Sequence, residues 1–170
     1  MILIVCGLAE VPSVIAARRP SHMVTLLDPS TMIDTPEGLS PGRHLKLGVN
    51  DISVPMEGMI PPGELEVLKL LEFGRGWDEA APMLIHCWAG ISRSTASAFV
   101  IACDKSPAAD EKTMAFSMRR AARHAMPNRR IIALADDMLG RRGRMVDAID
   151  ALGAYDYAIT GAPFDFAARH

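Results

Sequence analysis

Cysteine is scarce: three of the 170 residues, at positions 6, 87 and 103, with no Cys-x-x-Cys pair and no cysteine–histidine spacing suited to a metal. An odd count does not build a disulfide framework, so the chain reads as a protein of a reducing compartment, the cytoplasm. The histidines at 22, 44, 86, 124 and 170 are scattered and none pairs at helical spacing, which argues against a metal site or any metal cofactor. Aromatic residues make up only 5% of the chain, so aliphatic and methionine side chains must fill the core. A formal net charge of −2 gives no basic excess to hold nucleic acid or a membrane surface. The opening apolar run has no basic residue ahead of it, soon meets Glu10, and is too short to span a bilayer.

What the chain does have is apolar residues, 49% of the total, over a length that suits one core rather than two. The run from Met1 to Gly7 reads as a strand, Pro12 to Arg19 as a helix, and Ser21 to Leu27 as a second strand closed by Asp28-Pro29. Thr31 to Pro41 is a loop, and the alternation of Leu45, Leu47 and Val49 marks a third strand from Arg43 to Val49. Asp51 to Pro62, with its prolines, is extended and mobile. A helix opens at Pro61-Pro62-Gly63-Glu64 and runs to about Trp77, with Leu65, Leu68, Leu71 and Phe73 on its apolar face. Further helices follow from Pro107 to about Ala122, from Asn128 to the Gly140 stop, and from Arg144 to Leu152. Helices between strands imply parallel crossovers, hence an α/β fold: a central, mostly parallel sheet of four to five strands flanked by helices, with a helical C-terminal half.

The stretch that carries chemistry is Met83 to Thr95. Met83, Leu84 and Ile85 form a buried strand that delivers Cys87 to a loop, and from Ser92 onward small then apolar residues begin a helix. The first N–H groups of a helix lack intrahelical partners and carry the positive end of its dipole, so they attract anions. A thiolate at Cys87 gains from those N–H groups and from Arg93, the setting in which a cysteine becomes a nucleophile. The Arg93 fork matches two oxygens of a phosphate, and Gly90 lets the backbone turn and approach a ligand closely. A cysteine followed six positions later by arginine is weak alone; Gly90 between them and Ser94 just beyond make the constellation specific.

The segment His86-Cys87-Trp88-Ala89-Gly90-Ile91-Ser92-Arg93-Ser94 resembles the signature loop of the cysteine-dependent protein tyrosine phosphatases, in their dual-specificity-like branch. Upstream Asp51, and downstream Arg119-Arg120-Ala121-Ala122-Arg123 with Pro127-Asn128, extend the resemblance over about Val24 to Leu139. It implies a single phosphatase domain over 1–152, with 153–170 as a C-terminal tail of no assigned role. It implies Cys87 as nucleophile, Arg93 with loop residues Trp88, Ala89, Gly90, Ile91 and Ser92 as the phosphate cradle, and Ser94 as the hydroxyl stabilising the departing thiolate. Asp51, at the end of a strand and ahead of a loop, is then the general acid; Asp28 and Asp34 are weaker candidates. The implied reaction needs no cofactor, and its substrate is a phosphorylated protein, above all phosphotyrosine, or a small aryl phosphate.

Two other readings stand beside it: a catalytically weak module that binds phosphorylated residues, and a rhodanese-like sulfurtransferase, which also uses a loop cysteine. Trp88 is expected to pack away from the phosphate, and His86 to fix the loop by a hydrogen bond from the face opposite Cys87. Cys6 and Cys103 read as core thiols, with redox pairing to Cys87 as the sharper alternative. The arginines after Arg119 read as a solvated, paired face before they read as a substrate-steering one.

Overall fold

A computed structural model describes residues 1–155 and 161–170. Four strands, β1 (Ile2–Gly7), β2 (His22–Leu27), β3 (His44–Gly48) and β4 (Met83–Cys87), pair in parallel, and a fifth, β5 (Phe164–Ala167), joins antiparallel to β1. The spatial order β3-β2-β4-β1-β5 puts β4 at the centre. Every parallel strand therefore ends on the same edge as Cys87, the edge where α/β sheets bind ligands.

β1, β2 and β4 are buried almost throughout, as strands covered on both faces must be. One face carries Leu3, Val5, Val24, Leu26, Met83, Ile85 and Cys87 into the main core, beneath α2 (Glu64–Gly76), α3 (Arg93–Lys105), α4 (Glu111–Ala121), α5 (Arg129–Met138) and α6 (Arg144–Asp150). The other face carries Ile4, Cys6, Met23 and Leu84 against α1 (Val11–Arg18) and the loop bearing Ile33 and Leu39. The α/β architecture expected from the sequence, helical C-terminal half included, is the one observed.

α3 is the axis of the main core. Every residue from Arg93 to Cys103 is buried, with small Ala96, Ala98 and Ala102 interspersed among Phe99, Val100 and Ile101 all round the helix, and Ile101 meets α2 at Gly74. A helix so enclosed has a fixed N-terminus, which is what the site requires.

Three expectations need correction. The apolar face of α2 is Val67, Leu70, Leu71 and Gly74; Leu65 and Leu68 are 58% and 43% exposed. Gly74 lets α2 approach α3 to the point where a Cβ there would sit 3.1 Å from Ile101, and that contact sets the rotation of the helix. α4 begins at Glu111 rather than Pro107, because Asp110 caps it by accepting from Thr113 N at 2.7 Å, while 107–109 form a turn. The stretch assigned to a tail ends in β5: Phe164 and Phe166 enter the main core and Ala168 N bonds Met1 O at 3.0 Å. Four alternating residues are too few to declare a strand without the partner that pairs with them.

Candidate functional site

β4 ends at Cys87, and the chain turns through Trp88 to Ser92 before entering α3 at Arg93. Gly90 makes the turn possible. Its φ is +73°, and a Cβ there would lie 2.7 Å from the backbone of Cys6 and Gly7, so the loop packs on the end of β1 with no room for a side chain.

The loop is tied from outside by its carbonyls. Trp88 O accepts from Leu8 N at 3.1 Å; Ile91 O accepts from Met126 N at 2.9 Å and from Thr95 Oγ1 at 2.6 Å; Ser92 O accepts from Asn128 N at 3.2 Å. A trans peptide sets its N–H opposite its C=O, so the N–H groups of Ala89, Ser92 and Arg93 turn toward the inside of the loop. Ser92 stands at the N-cap of α3 yet does not cap it: its hydroxyl donates instead to Asp51 Oδ1 at 2.7 Å. The start of the most buried helix in the molecule is left with its positive end facing a cleft.

That cleft, about 710 Å³, is lined by buried Cys87 and Arg93 and by exposed Asp51, Trp88, Met59 and Met126. Cys87 is buried, and its Sγ lies 3.2 Å from Ser94 Oγ, the second residue of α3. Arg93 is 4% exposed and is fixed from behind: Nη1 donates to Val49 O at 2.7 Å and to Asp28 Oδ1 at 3.0 Å. Among the described residues its Nε has no hydrogen-bond partner, and Asp51 Oδ2 lies 3.9 Å away. A buried N–H of a cation without an acceptor, in the wall of a polar cleft, is a donor that an anionic oxygen can satisfy.

Asp51 reaches this place because β3 ends on the same edge as β4. The loop after it is closed at its neck: Asn50 N donates to Ile60 O and Ile60 N to Asn50 Oδ1, each at 2.7 Å. Asp51 Oδ1 also accepts from Asn128 Nδ2 at 2.9 Å. The extended, mobile segment expected here is irregular in path, but its ends are pinned.

Of the residues singled out from the sequence, Cys87, Trp88, Ala89, Ile91, Ser92, Arg93, Asp51 and Asp28 line one cleft; Ser94 reaches Cys87 from behind it, Gly90 packs against β1, and Asp34 is not in the lining. Trp88 departs from expectation: it is 62% exposed and stands on the rim instead of packing into the core. Its backbone is committed to Leu8, so the indole projects outward from the turn. Asp28, a weaker candidate for the acid, lines the same cleft and accepts from Arg93 Nη1; no local pattern marks that contact, because its partner lies 65 residues away. Asn128 is likewise absent from the expected site, although an N-cap asparagine next to Pro127 is visible in the sequence.

His86 is fully buried and bonds Thr25 Oγ1 through Nε2 at 2.7 Å, on the face opposite Cys87 as expected. Thr25 Oγ1 also meets His44 Nε2 at 2.7 Å, and His44 Nδ1 meets Thr35 Oγ1 at 3.0 Å, forming a chain of four side chains beneath the loop. Burial pushes both imidazoles down to about 4, against a weaker opposing pull on His86 from the Cys87 backbone. Both are neutral at pH 7.

The other thiols do not share the site. Cys6 lies across the sheet from Cys87, in the smaller core, and Cys103 sits far along α3; burial pushes each up to about 12. All three thiols are free, and Cys6 stands on the strand beside that of Cys87 with its side chain in the core of the opposite face. The arginines are largely structural: Arg129 pairs with Asp150, Arg141 and Arg144 share Glu111, and Arg119 bonds the carbonyls of Ala125 and Leu152. Among the described residues, no group of three or more His, Cys, Asp or Glu side chains could hold a metal, and no helix is long and apolar enough to cross a membrane. No protein-family model matches the chain, and no curated protein matches it either.

Proposed function

We propose that the chain is a phosphatase of the cysteine-dependent protein tyrosine phosphatase type, hydrolysing phosphate monoesters through a cysteinyl-phosphate intermediate. The observation that carries the proposal is the buried, unpaired Nε–H of Arg93 beside the uncapped start of α3, with a buried Cys87 sulfur hydrogen-bonded to Ser94. This arrangement offers inward N–H groups and half of a guanidinium fork to a tetrahedral oxyanion.

In the first step the Cys87 thiolate, its proton already lost to solvent, bonds phosphorus as the ester P–O bond breaks, and Asp51 gives its proton to the leaving oxygen. In the second, Asp51 takes a proton from water as the water oxygen bonds phosphorus and the thiolate departs. Ser94 Oγ, 3.2 Å from Sγ, donates to the sulfur as its charge returns. Arg93 and the loop N–H groups hold the equatorial oxygens throughout.

The exposed rim of Trp88, Met59 and Met126 suits an aromatic leaving group, which supports phosphotyrosine in protein or a small aryl phosphate as substrate. Turnover of p-nitrophenyl phosphate, abolished by Cys87→Ser, tests the proposal. Binding of inorganic phosphate without turnover would turn the reading to a phospho-residue-binding module, and turnover of thiosulfate would turn it to a sulfurtransferase.

A further inference from the structure

The side chain of Asn128 is bonded at both ends. Its Oδ1 caps α5, accepting from Arg130 N at 3.1 Å and Ile131 N at 3.2 Å. Those two N–H groups fix which end of the amide is oxygen, so the opposite end, 2.9 Å from Asp51 Oδ1, must be the NH₂ donor. Asn128 is 5% exposed, and its own backbone N–H donates to Ser92 O at 3.2 Å. One residue thus joins the start of α5, the phosphate loop and the carboxyl group 77 positions upstream.

Asp51 Oδ1 receives a second donor, Ser92 Oγ at 2.7 Å, whereas among the described residues no hydrogen bond reaches Oδ2, which faces Arg93 Nε across 3.9 Å. A carboxyl oxygen that accepts two hydrogen bonds is the poorer place for a proton. We infer that Asn128 is a positioning residue that, with Ser92, occupies one oxygen of Asp51 and so directs the acid proton to Oδ2, the oxygen turned toward the cradle. The inference builds on the phosphatase reading above.

The proton balance follows directly. Oδ2–H passes its proton to the leaving oxygen as the P–O bond breaks and the S–P bond forms, and the carboxylate keeps its two donors on Oδ1. Oδ2 is then free to accept the proton of the attacking water as the S–P bond breaks. Without the Asn128 donor the carboxyl can rotate, placing the proton on either oxygen, and the oxygen facing the leaving group is correct only part of the time.

Asn128→Ser and Asn128→Asp both retain a side chain that caps helices and the backbone N–H to Ser92, but neither can donate an amide N–H to Asp51. The readout is kcat/KM on phenyl phosphate, whose leaving group needs a proton, against dinitrophenyl phosphate, whose leaving group departs as an anion. Asn128→Ser is expected to lower kcat/KM on phenyl phosphate by roughly ten- to a hundredfold while changing the dinitrophenyl ester less than about threefold, with Tm close to wild type. Asn128→Asp carries the same test if the serine variant folds poorly. Equal slowing of both esters, or no slowing of either, overturns the positioning role. Asp51→Asn run alongside separates the cases: if it too shows no difference between the esters, the acid assignment itself fails, and an inactive wild type removes the phosphatase reading and the inference together.

Discussion

Arg93 is held before any ligand arrives. Two acceptors behind it, Val49 O and Asp28 Oδ1, take up Nη1 and leave the rest of the fork to the cleft. A guanidinium oriented in advance loses less freedom on binding a phosphate than one that must be gathered from solution. Asp28→Ala is therefore expected to weaken inorganic phosphate binding by roughly tenfold, readable by calorimetric titration, with little change in Tm because Asp28 is itself half exposed. Cys87→Ser is expected to lower aryl phosphate turnover by at least about 10³-fold while phosphate still binds, since the cradle is made of backbone and arginine rather than sulfur. Cys87, Gly90, Arg93 and Ser94 were legible because they fall within eight consecutive positions whose spacing carries the chemistry. Asp28 and Asn128 were not, because each acts on a residue far along the chain, and only the strand order brings them to one edge.

At the scale of the element, the loop between β4 and α3 depends on a backbone shape that only glycine adopts without strain. A methyl group at position 90 would meet the backbone of β1 and demand a left-handed φ as well. Gly90→Ala is expected to cost about 2 kcal/mol or more in urea denaturation and to reduce activity further, by displacing the N–H groups that face the cleft. Helix positions were read well where a cap or a stop marks them: Asn128 opens α5, and Gly140, with φ +63°, ends the segment after it. Helix rotation was not. α2 presents leucines on two sides, and its inward face is chosen by the close approach of Gly74 to Ile101, which periodicity does not contain. Leu68→Glu should change stability by less than about 0.5 kcal/mol, whereas Leu70→Ala should cost about 2 to 5 kcal/mol; the opposite ranking would contradict the observed face.

For the whole molecule, the parallel order places three strand ends, those of β2, β3 and β4, around one cleft, and the buried side chains beneath them set how the fold responds to acid. His44 and His86 are held near 4 in the folded state and return to about 6.5 when the chain unfolds. Between those values the unfolded chain binds more protons, so stability falls as pH drops from about 6.5 toward 4 and is level above that window. The expected loss between pH 7.5 and pH 5 is on the order of 2 kcal/mol for each imidazole, seen in urea melts at the two values. His22 and His124, also pushed down by burial, add to the same slope. Glu79, bonded by Arg169 and Lys105 and held near 2, adds its own loss only below about 4.5. A flat profile between pH 7.5 and 5 would contradict the neutral, buried network. All of this serves to hold one sulfur at the floor of one cradle. The most direct test is to incubate the protein with an aryl phosphate, quench in acid, and locate any phosphoryl group by peptide mass spectrometry. The account predicts it on Cys87; turnover with Cys87 never labelled, or with the phosphoryl group on another residue, would contradict it.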